Sequence, residues 1–337
     1  MRAFGCGAIV SLALAACAAP ADEPVSAEEQ DEVVAAPSAS EEEAQATDEA
    51  ADEESGERPS LSAAAAARCA NVTSSRKVKI KVMTINLRHD SDDWKRRFKL
   101  IANEIVRLDP DIIALQEIEI ADDQSDALND LIQARGHARY QVYQKRKSGF
   151  WGFFTGEGVG LMTRWPMVEK NHEDLGEMRI SVRARVKHPS GGFIDVMSTH
   201  LHHEGGAAAD AERLEQAKQT VDLADRHDDC WPTFLGGDMN TGESSNAMKH
   251  FFAEGFVDSY RAVHGAATMP GGSTSPIILK EGATQNPRRR IDFVLGRAAG
   301  ARTLEPIKSE VCFKNHDAKG FYPSDHLGVM TTYEVGL

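Results

Sequence analysis

The order of apolar and polar residues predicts most elements of the chain before any chemistry is considered. From Lys77 onward Val78, Ile80 and Val82 alternate with lysines before the pattern turns wholly apolar, which predicts a strand over Lys77 to Leu87 entering a core. Trp94, Phe98, Ile101, Ile105 and Leu108 then recur at spacings of four, three, four and three, one apolar face of a helix. Asp109-Pro110 ends that helix, and Asp111 to Gln116 begins a buried strand. Ile180, Val182, Ala184 and Val186 alternate with Ser181, Arg183, Arg185 and Lys187, turn through Ser190-Gly191-Gly192, and continue as Phe193 to Thr199. That is a hairpin with one polar face. Leu214, Ala217, Val221 and Ala224 mark a second helix, and Thr233-Phe234-Leu235-Gly236, Ile291 to Leu295 and Val329 to Val335 supply further strands. Residues 265–290, rich in Gly, Pro, Ser and Thr, read as a long loop of the functional or mobile kind. Interleaved strands and helices with hairpins among them predict a mixed, layered α/β domain rather than a purely parallel barrel.

The first residues read differently. Arg2 precedes a short apolar run from Ala8 to Ala16, carried by Ile9, Val10, Leu12 and Leu14 and too short to span a bilayer. Leu14-Ala15-Ala16-Cys17 resembles the lipobox of bacterial lipoproteins, which implies a signal peptide over residues 1–16 and a mature chain anchored to the membrane by a lipidated Cys17. An ordinary signal peptide cut after a small residue would instead release a soluble secreted protein. Residues 17–67 are almost devoid of large apolar side chains and predict a disordered acidic tether, leaving residues 68–337 as one folded domain. Charge follows the same boundary: residues 1–57 hold 15 of the 52 acids and 1 of the 38 bases, so residues 58–337 balance at 37 of each. The net charge of −14 therefore belongs to the tether and says nothing about the substrate. A neutral domain argues against a dedicated duplex-DNA binder, although Lys145-Arg146-Lys147 and Arg288-Arg289-Arg290 are local basic clusters. Beside the first, Phe150, Trp151, Phe153 and Phe154 either touch a membrane or stack on bases, or pack beneath the sheets. Cys69, Cys230 and Cys312 leave three disulfide pairings open, with one odd thiol.

Several strands end in polar residues that folding alone does not require: Asn86, Glu117, Asp238 with Asn240, and Asp325 with His326. Oxygen donors from Asn, Glu and Asp suit a hard divalent cation, magnesium first and manganese or calcium next, whereas zinc would ask for a tight Cys/His cluster. His200, His202 and His203 alternate on an extended segment and cannot all face one ion. The motifs, taken in order, resemble those of the endonuclease/exonuclease/phosphatase (DNase I-like) family. They are Val82-Met83-Thr84-Ile85-Asn86-Leu87-Arg88, Asp111-Ile112-Ile113-Ala114-Leu115-Gln116-Glu117, Ser198-Thr199-His200-Leu201-His202-His203, Gly237-Asp238-Met239-Asn240, Arg290-Ile291-Asp292-Phe293 and Ser324-Asp325-His326.

The resemblance implies a four-layered α/β sandwich, two mixed sheets packed together with helices outside, and metal-dependent phosphoester hydrolysis where the strand ends converge. It implies Glu117 as principal metal ligand with Asn86 and Asp325 beside it, and Asp238 and Asn240 holding the attacking water or a second ion. His326, oriented by Asp292, would be base or charge stabiliser, and His200 would donate to the scissile phosphate or the leaving group. Arg179 falls where some relatives contact phosphate, with Asn86 also on the substrate side; Glu157 and His203 are softer candidates, and His202 reads as a solvated strand residue. Asp292 has a rival reading as a surface partner of Arg288, Arg289 or Arg290. The chain departs from some relatives at Arg88, where they carry a metal-binding aspartate, so the first ion would have fewer protein ligands here. Expected partners are a phosphoester and the membrane, with no obligate protein partner implied, at the bacterial cell envelope and on the outer membrane or surface if the host has two membranes. A nuclease-like phosphodiesterase is the first reading. A sphingomyelinase-type phospholipid diesterase, an inositol-phosphate phosphatase and a non-catalytic surface binding module are the alternatives.

Overall fold

The computed structural model describes residue 69 and residues 71–74, 76–147, 156–265 and 271–337. Its strands are β1 (Lys77–Asn86), β2 (Ile112–Glu119), β3 (Gln141–Arg146), β4 (Glu157–Thr163), β5 (Met167–Gly176), β6 (Arg179–Lys187), β7 (Phe193–His200), β8 (Thr233–Asp238), β9 (Val257–Asp258), β10 (Asp292–Arg297), β11 (Leu304–Cys312) and β12 (Gly328–Gly336). The helices are α1 (Trp94–Leu108), α2 (Gln124–Gln133), α3 (Ala207–Arg226), α4 (Asn246–Ala253) and α5 (Ser259–His264). Two six-stranded sheets result, ordered β11-β12-β1-β2-β4-β3 and β5-β6-β7-β8-β10-β9.

Each sheet contains one parallel pair, β1 with β2 and β7 with β8, and a helix makes each crossover: α1 in the first, α3 in the second. The remaining pairings are antiparallel. The sheets meet face to face through Val82, Ala114 and Leu161 on one side and Val182, Val196 and Phe234 on the other. Phe98, Ile101 and Ile105 of α1 cover the outside of the first sheet, and Ala217, Val221 and Ala224 of α3 cover the second. The result is the four-layered α/β sandwich that the motifs implied. Contact is tight at Gly236, where a Cβ would lie 2.5 Å from that of Ala114. Only glycine lets the sheets approach so near to Asp238. Among the described residues, no helix is long and apolar enough to cross a membrane.

Three features that the sequence left open are fixed on this framework. The polar face of the β6–β7 hairpin is not solvated: Arg183 is fully buried, and with Arg185 it binds Asp195 and the His227 carbonyl at the end of α3. Guanidinium groups there satisfy helix-terminal carbonyls that lack partners within the helix. The basic clusters are partly spent inside as well, since Lys147 is buried against Glu157, and Arg290 against Glu243 and Asp258. Of the open pairings, the structure has Cys69 bonded to Cys230, with Cys312 free and buried. The expected signal segment, tether and lipidation site at Cys17, and the aromatic group at Phe150, Trp151, Phe153 and Phe154, lie outside the described residues.

The disulfide closes a span of 161 residues, joining the segment ahead of β1 to the loop after α3. Closing so long a loop removes much unfolded-state entropy, so Cys69→Ser with Cys230→Ser should lower stability by about 3–5 kcal/mol. Urea denaturation checks this: the wild type should shift on adding reductant, and the double variant should not.

Candidate active site

Because β1, β2, β7 and β8 form two parallel pairs, their C-terminal ends gather at one edge of the sandwich and bring Asn86, Glu117, His200 and Asp238 together. Such ends are where open α/β sheets leave a crevice. Glu117 sits in a bulge between Leu115 and Ile118 and has φ 51°, which breaks the side-chain alternation and turns the carboxylate to this edge. Asp292 opens β10 directly opposite Asp238, and Asp325-His326 immediately precede β12.

Asn86 is the centre of the arrangement. Its Nδ2 donates to Glu117 Oε1 at 2.9 Å and to Asp238 Oδ2 at 3.1 Å, while its Oδ1 accepts from the Arg88 N–H at 2.9 Å. Expected as a metal ligand, Asn86 here bridges two carboxylates from different sheets, its oxygen engaged by its own loop. Asp238 Oδ1 accepts from the Asn240 N–H at 2.9 Å, and Asn240 Nδ2 donates to the Leu201 carbonyl at 3.0 Å. Two imidazoles flank Asp238, His200 through Nε2 and His326 through Nδ1, each 3.6 Å from Oδ2. Asp292, fully buried, pairs with His326 Nδ1 at 3.0 Å and with no arginine, which removes its reading as a surface bridge.

Behind His200 stands a cationic wall. Arg179 Nη1 lies 3.3 Å from His200 Nδ1 and Nη2 lies 2.8 Å from His203 Nδ1, so both rings accept at Nδ1 and His200 carries its proton on Nε2, toward Asp238. Glu157, one of the softer candidates, pairs with Lys147. His202 stacks at a tilt on His203.

Environment separates the two histidines. Burial, reinforced by Arg179 and Lys147, holds His200 well below the usual imidazole range, hence neutral. Burial also works against a charged His326, but Asp292 and Asp238 outweigh it and hold this ring well above that range. Burial raises the Glu117 carboxyl, with Glu157 adding to the rise and Asn86 opposing it. Asp238 is pushed up to about 7 by burial, with His326 pulling it back.

The donor set fits a divalent cation. The carboxylates of Glu117 and Asp238 converge at this site, their donor atoms within 4.8 Å of each other, whereas His200 Nε2 and His326 Nδ1 beside them carry protons and offer no lone pair. Glu117 is a half-buried carboxylate raised first by burial and further by Glu157 and Asp325, a like-charge neighbourhood that an added cation would relieve. Glu117 and Asp325 would hold such an ion.

Sequence reasoning missed Arg97, and it named Lys147 only as part of a basic cluster rather than as a residue of the site. Arg97 is fully buried and makes six hydrogen bonds to the carbonyls of Leu87, Arg88, His89, Ser91 and Pro323, fixing the loop after β1 against the segment before Asp325. Burial lowers its pKa to about 10, which still leaves it charged at neutral pH. The long loop contributes similarly: Ile277 N–H donates to the Asp325 carbonyl at 2.7 Å, and Leu327 N–H to the Thr274 carbonyl at 2.8 Å.

A profile of the Endonuclease/Exonuclease/phosphatase family matches residues 83–326. Among curated proteins, none matches this chain. Similar solved structures include an endonuclease/exonuclease/phosphatase family protein from Bacteroides thetaiotaomicron, 19% identical with a TM-score of 0.63, over 78% of this chain and 100% of that one. Another is the mannosyl-6-phosphatase of Bacteroides thetaiotaomicron, 20% identical with a TM-score of 0.61, over 75% and 99% of the two chains. TDP2 of D. rerio, complexed with a single-strand DNA product, is 18% identical with a TM-score of 0.59, over 76% and 98%.

Replacing Arg97 by Met should strand these carbonyls and lower stability by about 3–5 kcal/mol. Chemical denaturation reads this, and an unchanged midpoint would show that the clamp does not hold the loop.

Proposed function

Because the chain belongs to the endonuclease/exonuclease/phosphatase family of metal-dependent phosphoester hydrolases, we propose that it is a nuclease-like phosphodiesterase of the bacterial cell envelope. The observation that carries the reading is Asp238, flanked by a neutral and a charged imidazole. Asp238 and Asn240 hold the attacking water, and a carboxyl raised to about 7 is a competent acceptor for its proton. As the water oxygen bonds to phosphorus, charge grows on the phosphate oxygens. His326, kept charged by Asp292, stabilises that charge. The bond to the leaving oxygen breaks, the Nε2–H of neutral His200 is placed to donate a hydrogen bond to that oxygen, and solvent supplies its proton. A divalent ion, magnesium first, would neutralise phosphate charge when bound.

The substrate class follows from where the cations are. Lys147 and Arg179 lie inside the site rather than along an exposed face. That placement favours a substrate read through one phosphate, a strand end or short single strand of nucleic acid, over a duplex tracked along its backbone. A small phosphoester, an inositol or sugar phosphate for example, is the second reading on the same observation. The phospholipid-diesterase reading depends on the aromatic group at Phe150 to Phe154. Anchoring through a lipidated Cys17, with residues 17–67 as tether, rests on the N-terminal motif.

With magnesium, the purified protein should turn over at least one of single-stranded DNA, a sugar phosphate, sphingomyelin and a chromogenic phosphodiester. Chelator, Glu117→Ala and His326→Ala should each abolish this, and Asp292→Ala should slow it by about 10²–10⁴-fold. No turnover of any by the folded protein would favour the binding-module reading. In cells, Cys17→Ala should move the protein out of the membrane fraction, and an unchanged distribution would remove the lipid anchor.

A further inference from the structure

Arg88 follows Asn86 by two positions on the loop that Arg97 clamps, with φ 55°. Its Nη1 donates to Asp325 Oδ2 at 2.6 Å and its Nε to Asp92 Oδ2 at 2.5 Å, while Arg97 Nη2 holds its carbonyl at 3.0 Å. Both partners lie on the rim, the Arg88 side chain 34% exposed and that of Asp325 27%. The ion pair is therefore open to exchange with solutes. Ser324 Oγ donates to the Asn86 carbonyl at 2.7 Å and lies 3.3 Å from the other Asp325 oxygen, Oδ1.

An acid whose oxygen already binds a guanidinium is a poorer ligand for a cation, because the guanidinium both occupies that oxygen and repels a dication nearby. On the other side of Asp238, the His326 ring nitrogen sits 3.0 Å from Asp292 and 3.6 Å from Asp238, in the space a second ion would need. We propose that Arg88 is a resident cation that shares Asp325 with the metal ion, sets the affinity of the site for that ion, and with His326 restricts the site to one divalent ion bound chiefly through Glu117. The inference rests on the reading above that Glu117 and Asp325 are metal ligands. Released from Asp325 when the ion binds, the Arg88 guanidinium is free to turn toward an anionic oxygen of the substrate.

Manganese titrated into the purified full chain, with free ion counted by electron paramagnetic resonance, tests this without reference to turnover. The wild type should bind one ion per chain, and Arg88→Met should bind one ion about tenfold more tightly once the repelling charge is gone. Arg88→Lys should stay within about threefold of wild type because the charge is kept. Arg88→Asp, which removes the positive charge and adds a carboxylate beside Asp325, should still bind one ion, at least as tightly as Arg88→Met, because His326 remains in place. Circular dichroism melts establish that each variant is folded, and the Met and Lys variants carry the test if the Asp variant does not fold. Two ions in the wild type, or an Arg88→Met affinity equal to that of wild type, overturns the proposal. Glu117→Ala separates the layers: if ion binding does not depend on Glu117, the metal-ligand reading fails together with the proposal. Glu117-dependent binding that ignores Arg88 sinks the proposal alone.

Discussion

Two carboxylates from different sheets, Glu117 and Asp238, are held side by side in a buried site by one amide, that of Asn86. Charge of one sign in so small a desolvated volume is unfavourable, and the surroundings are organised around compensating it. His326 enters between Asp238 and Asp292, Asn240 gives Asp238 a backbone N–H, and Arg88 covers Asp325. What compensation remains unmet at Glu117 is what gives the site its appetite for a cation and for a phosphate brought with it.

The scaffold can hold such a cluster because the strand ends that carry it are fixed from behind. Gly236 lets the sheets close to contact beneath Asp238, and Gln116, one residue before Glu117, reaches across to Ser198 at 3.0 Å and accepts from Thr84 at 3.1 Å. The loops are fixed by other means. Arg97 gathers carbonyls that no strand could satisfy, and residues 274–277 lean on the Asp325-His326 segment. Loops that are irregular in shape but fully bonded can position side chains as firmly as strands do.

Much of this was legible in sequence, for identifiable reasons. The α1 stripe and the β1 alternation are periodic because each element has one covered face, and the polar residues at the ends of apolar strands stood out because no core needs them. Other elements left weak signals. In β4, Gly158 and Gly160 remove alternate side chains where a neighbouring strand approaches closely; a Cβ on Gly158 would lie 2.1 Å from the Lys145 carbonyl. In α2, Leu128 and Ile132 are the buried apolar pair amid Gln, Ser, Asp and Asn, too short a stripe to assert itself. Arg97 did leave a signal that was passed over: it falls on the apolar face of α1, between Trp94 and Ile101. A charge in that position is either a defect or a clamp, and only the surrounding carbonyls decide which.

The neutral charge balance of the folded region conceals a strongly ordered distribution. Several arginines and lysines that composition would assign to a solvated surface are instead enclosed: Arg183 beneath α3, Arg290 between Glu243 and Asp258, Arg179 and Lys147 behind His200. Enclosed cations act over a few ångströms in a low dielectric, whereas surface cations act through screened fields over a Debye length of about 8 Å at physiological salt. A protein built in the first way recognises a phosphate by contact once it has arrived and does little to draw a polyanion from a distance. On this argument the proposed membrane tether and the interior cations would be complementary parts of one arrangement. Anchoring would bring the site to its substrates, and the buried wall would then select among them by the fit of a single phosphate.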